Sequence, residues 1–135
     1  MTDRLTIDVP CVPLSGNRWQ RMHYHKRTRI NQDWHIWVLT MIRFRKEAQP
    51  FVMNAMQESP RRVRVSVTAY FAHGIRGKRL DEENLRTGLK PAWDAIVKCG
   101  LLRDDGVKYL EVGEVKQVIE RDPKKHRTIF ELELL

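Results

Sequence analysis

Five carboxylates stand in two tight groups in this 135-residue chain: Asp81, Glu82 and Glu83 before a helix-forming stretch, and Asp104 and Asp105 after it. Gathered carboxylates repel, raise one another's pKa and weaken a fold unless a cation lies between them, and a hard divalent ion is the usual one. The spacing alone also admits a purely structural role. Acids are favoured at a helix N-terminus by its dipole, and Asp104-Asp105-Gly106 has turn chemistry. A helix of some fifteen residues holds its ends about 22 Å apart. One shared ion therefore requires a kink near Pro91, or neighbouring strands that bring the two groups together.

The elements that must position these acids follow from periodicity. Leu5, Ile7 and Val9 alternate with polar residues and predict a first strand that Pro10 stops. Val12 to Ile30, with Pro13, Ser15, Gly16 and Asn17 and then RWQRMHYHKRTR, reads as a long polar loop. Trp34, Trp37, Val38, Met41 and Ile42 predict a helix from Asn31, its N-cap, to Gln49, closed by Pro50, and Pro50 to Pro60 reads as looser chain. Val63, Val65, Val67 and Ala69 mark a strand over Arg62 to Phe71. After the loop HGIRGKRL, a helix runs to about Cys99 with Leu85, Leu89, Trp93, Ile96 and Val97 inward, Gly100 beyond its end, and a kink between Thr87 and Pro91. Beyond a turn at Leu102 to Gly106, two strands, Val107 to Glu120 and Arg127 to Leu134, are joined by DPKKH as a hairpin. The expected fold is a single α+β (α/β) domain over 1–135, a small mixed sheet with two helices packed on it, in the order β-α-β-α-β-β.

Charge narrows the partner. Residues 1–80 carry 15 Lys and Arg against 5 Asp and Glu, whereas residues 81–135 carry 10 against 12. A basic field of this kind attracts polyanions, so nucleic acid leads and a membrane, for which no basic amphipathic helix or lipidation signal speaks, does not. Arg18, Arg21, Lys26, Arg27 and Arg29, with Trp19 and Tyr24 interleaved, predict a phosphate-tracking arm, and Arg76, Lys78 and Arg79 flank the acids. Without a signal peptide at MTDRLTIDVP or an apolar run of membrane length, the expected location is the cytoplasm, at the nucleoid through DNA. Cys11 and Cys99 form no CxxC pair and read as reduced thiols, and the five histidines show no zinc spacing. Gly74-Ile75-Arg76-Gly77 has the letters of a GxxG RNA-binding loop but follows a strand instead of joining two helices.

One long string, Asp81-x-Glu83-Asn84-Leu85, Leu89-Lys90, Trp93-Asp94-Ala95-Ile96, Gly100 and Asp104-Asp105, resembles the RusA family of Holliday-junction endodeoxyribonucleases, including its phage-borne members. Pro13-Leu14-Ser15-Gly16-Asn17 resembles that family's loop after the first strand. The resemblance implies a homodimeric endonuclease that resolves four-way DNA in recombination and repair. It places Asp81, Glu83 and Asp105 at the metal-binding acids, with Asp104 as a further ligand or neighbour, and Lys90 at the essential lysine. The family's Asp-x-Asp-Asn reads Asp-x-Glu-Asn here, one methylene longer at one ligand. Mg²⁺, with Mn²⁺ as a substitute, is the implied cofactor: held by carboxylates it retains waters, acidifies one and neutralises charge on the phosphate. The alternative is a non-catalytic nucleic-acid-binding protein whose acids are structural.

Overall fold

A computed structural model describes residues 4–46, 48–55, 62–73, 77, 79–101, 106 and 108–135. The elements are β1 (Arg4–Val9), α1 (Gly16–Arg21), α2 (Tyr24–Arg43), α3 (Ala48–Ala55), β2 (Val63–Tyr70), α4 (Glu82–Gly88), α5 (Lys90–Lys98), β3 (Leu110–Val118), a short 3-10 turn (Pro123–Lys125) and β4 (Arg127–Leu134). The fold is α+β, with one mixed four-stranded sheet in the order β1-β4-β2-β3.

Alternation decides the two faces of that sheet. Leu5, Ile7 and Val9, then Val63, Val65, Val67 and Ala69, then Phe130, Leu132 and Leu134 all point to one side and are buried with Trp34, Val38, Leu85, Leu89 and Ile96 of the helices. Trp34 and Trp93 meet Phe130 edge-on at 6.2 and 6.5 Å, an arrangement that suits the ring quadrupoles. The opposite face is polar, with ion pairs from Arg4 to Glu133 at 3.5 Å, from Arg64 to Glu133 at 3.6 Å, and between Arg64 and Glu111.

Three elements depart from the expectations. The basic run after Ser15 is helical, in α1 and the first two turns of α2, because Lys, Arg and Gln are good helix formers whose heads stay in water. The α2 N-cap is therefore His23, whose ring nitrogen accepts from the His25 amide at 3.3 Å, and Asn31 lies mid-helix. Pro50 does not end a helix. It sits in the first turn of α3, where its missing N–H has no helical acceptor to lose. No hairpin joins the last two strands either. β4 inserts between β1 and β2, antiparallel to both, and β3 lies parallel to β2 at the edge. The strict inward alternation of Thr128, Phe130, Leu132 and Leu134 needs a central place, whereas β3, with Gly113, Glu114 and Lys116, suits an edge.

The expected break near Pro91 is present as a boundary at Leu89 between α4 and α5. Hydrogen bonds run through it, from the Leu89 amide to the Leu85 carbonyl and from the Trp93 amide to the Leu89 carbonyl, so the two helices follow one another instead of folding back. The chain before α1 is pressed against α4. A Cβ on Gly88 would lie 1.7 Å from the Leu14 carbonyl oxygen, and one on Gly16 would lie 2.6 Å from Thr87 Cβ. Gly88→Ala is expected to lower the free energy of unfolding by about 3 kcal/mol or more, since backbone on one side must move to admit the methyl. Urea denaturation of the two proteins measures it.

Candidate functional site

Asp81 owes its position to a buried glutamine. Gln117, 4% exposed on β3, accepts from the Leu80 amide at 2.7 Å and donates to the Phe71 carbonyl at 3.0 Å, which pins both ends of the connection that leaves β2. Arg79 donates to the Gln117 carbonyl. Asp81 then caps α4, and its two carboxylate oxygens accept from the Asn84 amide and from Asn84 Nδ2, each at 2.8 Å. These bonds, the amide first, hold the Asp81 carboxyl below the usual carboxylate range although it is exposed. Its folded-state pKa is depressed, so the contribution it makes to stability is present at neutral pH and is lost as pH falls through that lowered value.

The neighbouring acids divide. Glu82 is spent on Arg86, at 3.1 Å one helical turn on. Glu83 is exposed, and its carboxylate has no hydrogen bond or ion pair among the described residues. Asn84 turns its remaining acceptor outward and takes the Asn17 amide at 3.1 Å, which ties the first turn of α4 to the first turn of α1. Ser15 caps α1 by accepting from the Arg18 amide at 3.2 Å. Beside this junction lies an open groove of about 600 Å³, lined by Asn17, Arg18, Arg21, His23, Lys26 and His73.

The basic residues expected to form one arm have separate duties. Arg18, Arg21 and Lys26 line the groove, and Arg29 is exposed on α2. Arg27 is structural: its guanidinium donates to the Trp19 carbonyl at 2.9 Å and to that of Gln20, and lies 5.4 Å from the Trp19 ring. Trp19 is buried and Tyr24 exposed. Arg76 and Lys78 lie outside the described residues, as do Asp104 and Asp105.

The chain on either side of 102–105 is described, and it belongs to the other end of the sheet. Gly106 accepts from the Tyr109 and Leu110 amides, at the start of β3, whereas Leu80 and Asp81 sit by Gln117, at its finish. Seven residue steps of strand lead from Leu110 to Gln117, about 23 Å of rise. The two strands flanking the acids are indeed neighbours, but parallel ones, and parallel neighbours set the exit of one beside the exit of the other. Among the described residues no three of His, Cys, Asp and Glu gather as a metal group. Lys90 is exposed at the start of α5, about 9 Å along the helical path from Asn84.

The remaining nucleophiles are quiet. Cys11 and Cys99 are unpaired and half-buried, and burial pushes each thiol up to about 11, so neither is a thiolate at neutral pH. No helix among the described residues is long and apolar enough to cross a membrane. Comparison with protein-family models and with curated proteins gives no match for this chain.

Sequence reasoning passes over Gln117, and it quotes Asn84 within the Asp-x-Glu-Asn string without giving it a role. A glutamine at the inward parity of a strand is the signal for the first. Asn84→Ala keeps a backbone N–H for Asp81 but removes the side-chain donor and the tie to Asn17. It is expected to raise the Asp81 pKa towards the ordinary carboxylate value, read by NMR titration of the side-chain carbon.

Proposed function

We propose that the chain is a Mg²⁺-dependent, structure-selective endodeoxyribonuclease that cuts four-way DNA junctions, the activity of the RusA family that its Asp81 to Asp105 string resembles. The observation that supports this most is the meeting of opposite charges at one place. A groove walled by Arg18, Arg21 and Lys26 adjoins, across the Asn17–Asn84 bond, the exposed carboxylates of Asp81 and Glu83. Cations in a groove collect backbone phosphates, and carboxylates at its lip would repel those phosphates unless a cation stood between.

The residues present fit Mg²⁺. Asp81 and Glu83 are hard oxygen donors, Asp81 is held ionised, and Glu83 is unpartnered among the described residues. Mg²⁺ is ordinarily bound by one or two carboxylates with water and substrate phosphate, not by a full protein cage, so no third carboxylate is required at this end of the sheet. Bound there, Mg²⁺ would supply an acidified water and neutralise charge at the phosphorus. The chain's own residues do the rest: Asn84 orients Asp81, Arg18, Arg21 and Lys26 fix the phosphate register, and Lys90 offers a cation further along the same helical path. Two opposed strands of a four-way junction must be cut, which a symmetric pair of chains provides.

A second reading, a nucleic-acid-binding protein with structural acids, is favoured by the cap that uses both Asp81 oxygens and by the Glu82–Arg86 pair. Incubation with a four-way junction, a flap and a linear duplex, with and without Mg²⁺, separates the two: the nuclease nicks the junction only with the metal, and the binder shifts it without cutting. Asp81→Asn and Glu83→Gln are expected to lose at least about 100-fold in cleavage while binding DNA as tightly or more so. Asp105→Asn is expected to do the same by the family resemblance, and cleavage by that variant at the wild-type rate in Mg²⁺ would show the site assignment to be wrong. Replacing Arg18, Arg21 and Lys26 together by Ala should weaken binding to every DNA and flatten its salt dependence by about two to three units of slope.

A further inference from the structure

The groove shares its end of the sheet with a second set of cations. β1, β2 and β3 all finish at that end and β4 begins there, as the facing pairs Val9 with Thr128, Tyr70 with Val118 and Tyr70 with Arg127 require. Leu80 and Asp81 stand at the same end, beside Gln117. The link that carries the chain from β3 to β4 therefore lies on the rim that presents Asp81. It also meets the connection before Asp81: the Glu120 amide donates to the Phe71 carbonyl at 3.3 Å, and a Cβ on Gly77 would lie 3.3 Å from Arg121 Nε.

That link is tightly made. Asp122 caps its 3-10 turn by accepting from the Lys124 amide at 3.0 Å, Glu120 accepts from the Asp122 amide at 3.1 Å, and the Lys125 amide donates to the Asp122 carbonyl at 2.9 Å. The His126 ring closes on the Glu120 carbonyl at 2.8 Å, and Pro123 holds its own φ fixed at the start of the turn. The acids of the link are thus spent on its backbone. Lys124 and Lys125 are exposed, and neither ammonium has an ion pair or hydrogen bond among the described residues. With Asp8, Pro10, His126 and Arg127 they line an open hollow of about 440 Å³. Its one carboxylate, Asp8, faces Arg127 at 3.7 Å, which leaves both lysines unneutralised.

The hollow and the groove have no lining residue in common. Pro10 belongs to the hollow and Ser15 to the groove, so five residues of chain, no more than about 18 Å, join them. That stretch, Pro10-Cys11-Val12-Pro13-Leu14-Ser15, carries no charged side chain. A single duplex laid over both patches would run its phosphates across the neutral stretch, whereas affinity for a backbone comes from cations set along it. Two arms that diverge from a branch point bring two backbones close together with no phosphate row between them, which matches two cationic patches and an uncharged gap.

We infer that Lys124 and Lys125, with Arg127 beside them, hold the backbone phosphates of a second arm of branched DNA while the groove holds the first. The inference rests on the proposed reading of this end of the sheet as a junction-binding surface, and it adds the contact that tells a junction from a plain duplex. The test compares the full chain with its Lys124→Ala/Lys125→Ala variant, without Mg²⁺, on a four-way junction and on a linear duplex of the same arm sequence. Neither lysine side chain bonds to the fold, so circular dichroism and thermal unfolding should not change. Junction affinity should fall about tenfold and its salt slope by about two units, while duplex affinity should move by less than about twofold. Replacing Arg18, Arg21 and Lys26 should, in contrast, weaken both complexes. Unchanged junction affinity in the double variant would overturn the inference, as would an equal loss on junction and duplex, or a parent that binds the two DNAs alike. Cutting is read separately with Mg²⁺: a parent that prefers junctions and never nicks them contradicts the nuclease reading alone.

Discussion

The chain that opens α1 lies against α4 at a separation that only the missing side chains of Gly16 and Gly88 allow. The Leu14 carbonyl sits where a Cβ of Gly88 would be, and Thr87 sits where a Cβ of Gly16 would be. Only at that separation can one side chain, Asn84, take the Asn17 amide and serve Asp81 at the same time. Everything that makes the site a site depends on this contact. The cations of α1 and α2 and the carboxylates of α4 come from segments distant in sequence, joined by a bond between residues 67 apart, and the glycines make them one surface.

The crossover from β2 to β3 sets the limits of that surface. A parallel pair joined by α4 and α5 has to return the chain to the starting end of the sheet, so a helix that begins beside the groove finishes far from it. In the nuclease reading proposed above, chemistry at the groove would rest on Asp81 and Glu83 with the phosphate itself, an arrangement that suits a cation which keeps most of its waters.

Much of this was legible in the residues. The strand periodicities placed β1, β2 and β4 nearly to the residue, and Leu85, Leu89 and Ile96 are buried as their spacing predicts. The basic run departs from expectation because charge alone does not mark a loop: Tyr24 to Ile30 contains no helix breaker, and its cations sit on long helix-forming side chains. The hairpin between the last strands misled because a short polar link says nothing about which strand fills the centre of a sheet, and there Phe130 and Leu132 outbid Gly113 and Lys116 through burial. Arg27 could not be told from its neighbours, because its use on the α1 carbonyls is a tertiary fact.

Manganese offers the most direct test of the claim that phosphate and cation meet beside the Asn17–Asn84 bond. Added in small amounts to the isotope-labelled protein bound to a four-way junction, Mn²⁺ broadens the amides nearest to it. The account predicts that Asn17, Arg18 and Glu82 to Asn84 broaden first and that Mg²⁺ restores them. Sharp signals at those residues, with broadening centred on Gly106 and Lys108 at the far end of β3, would contradict it.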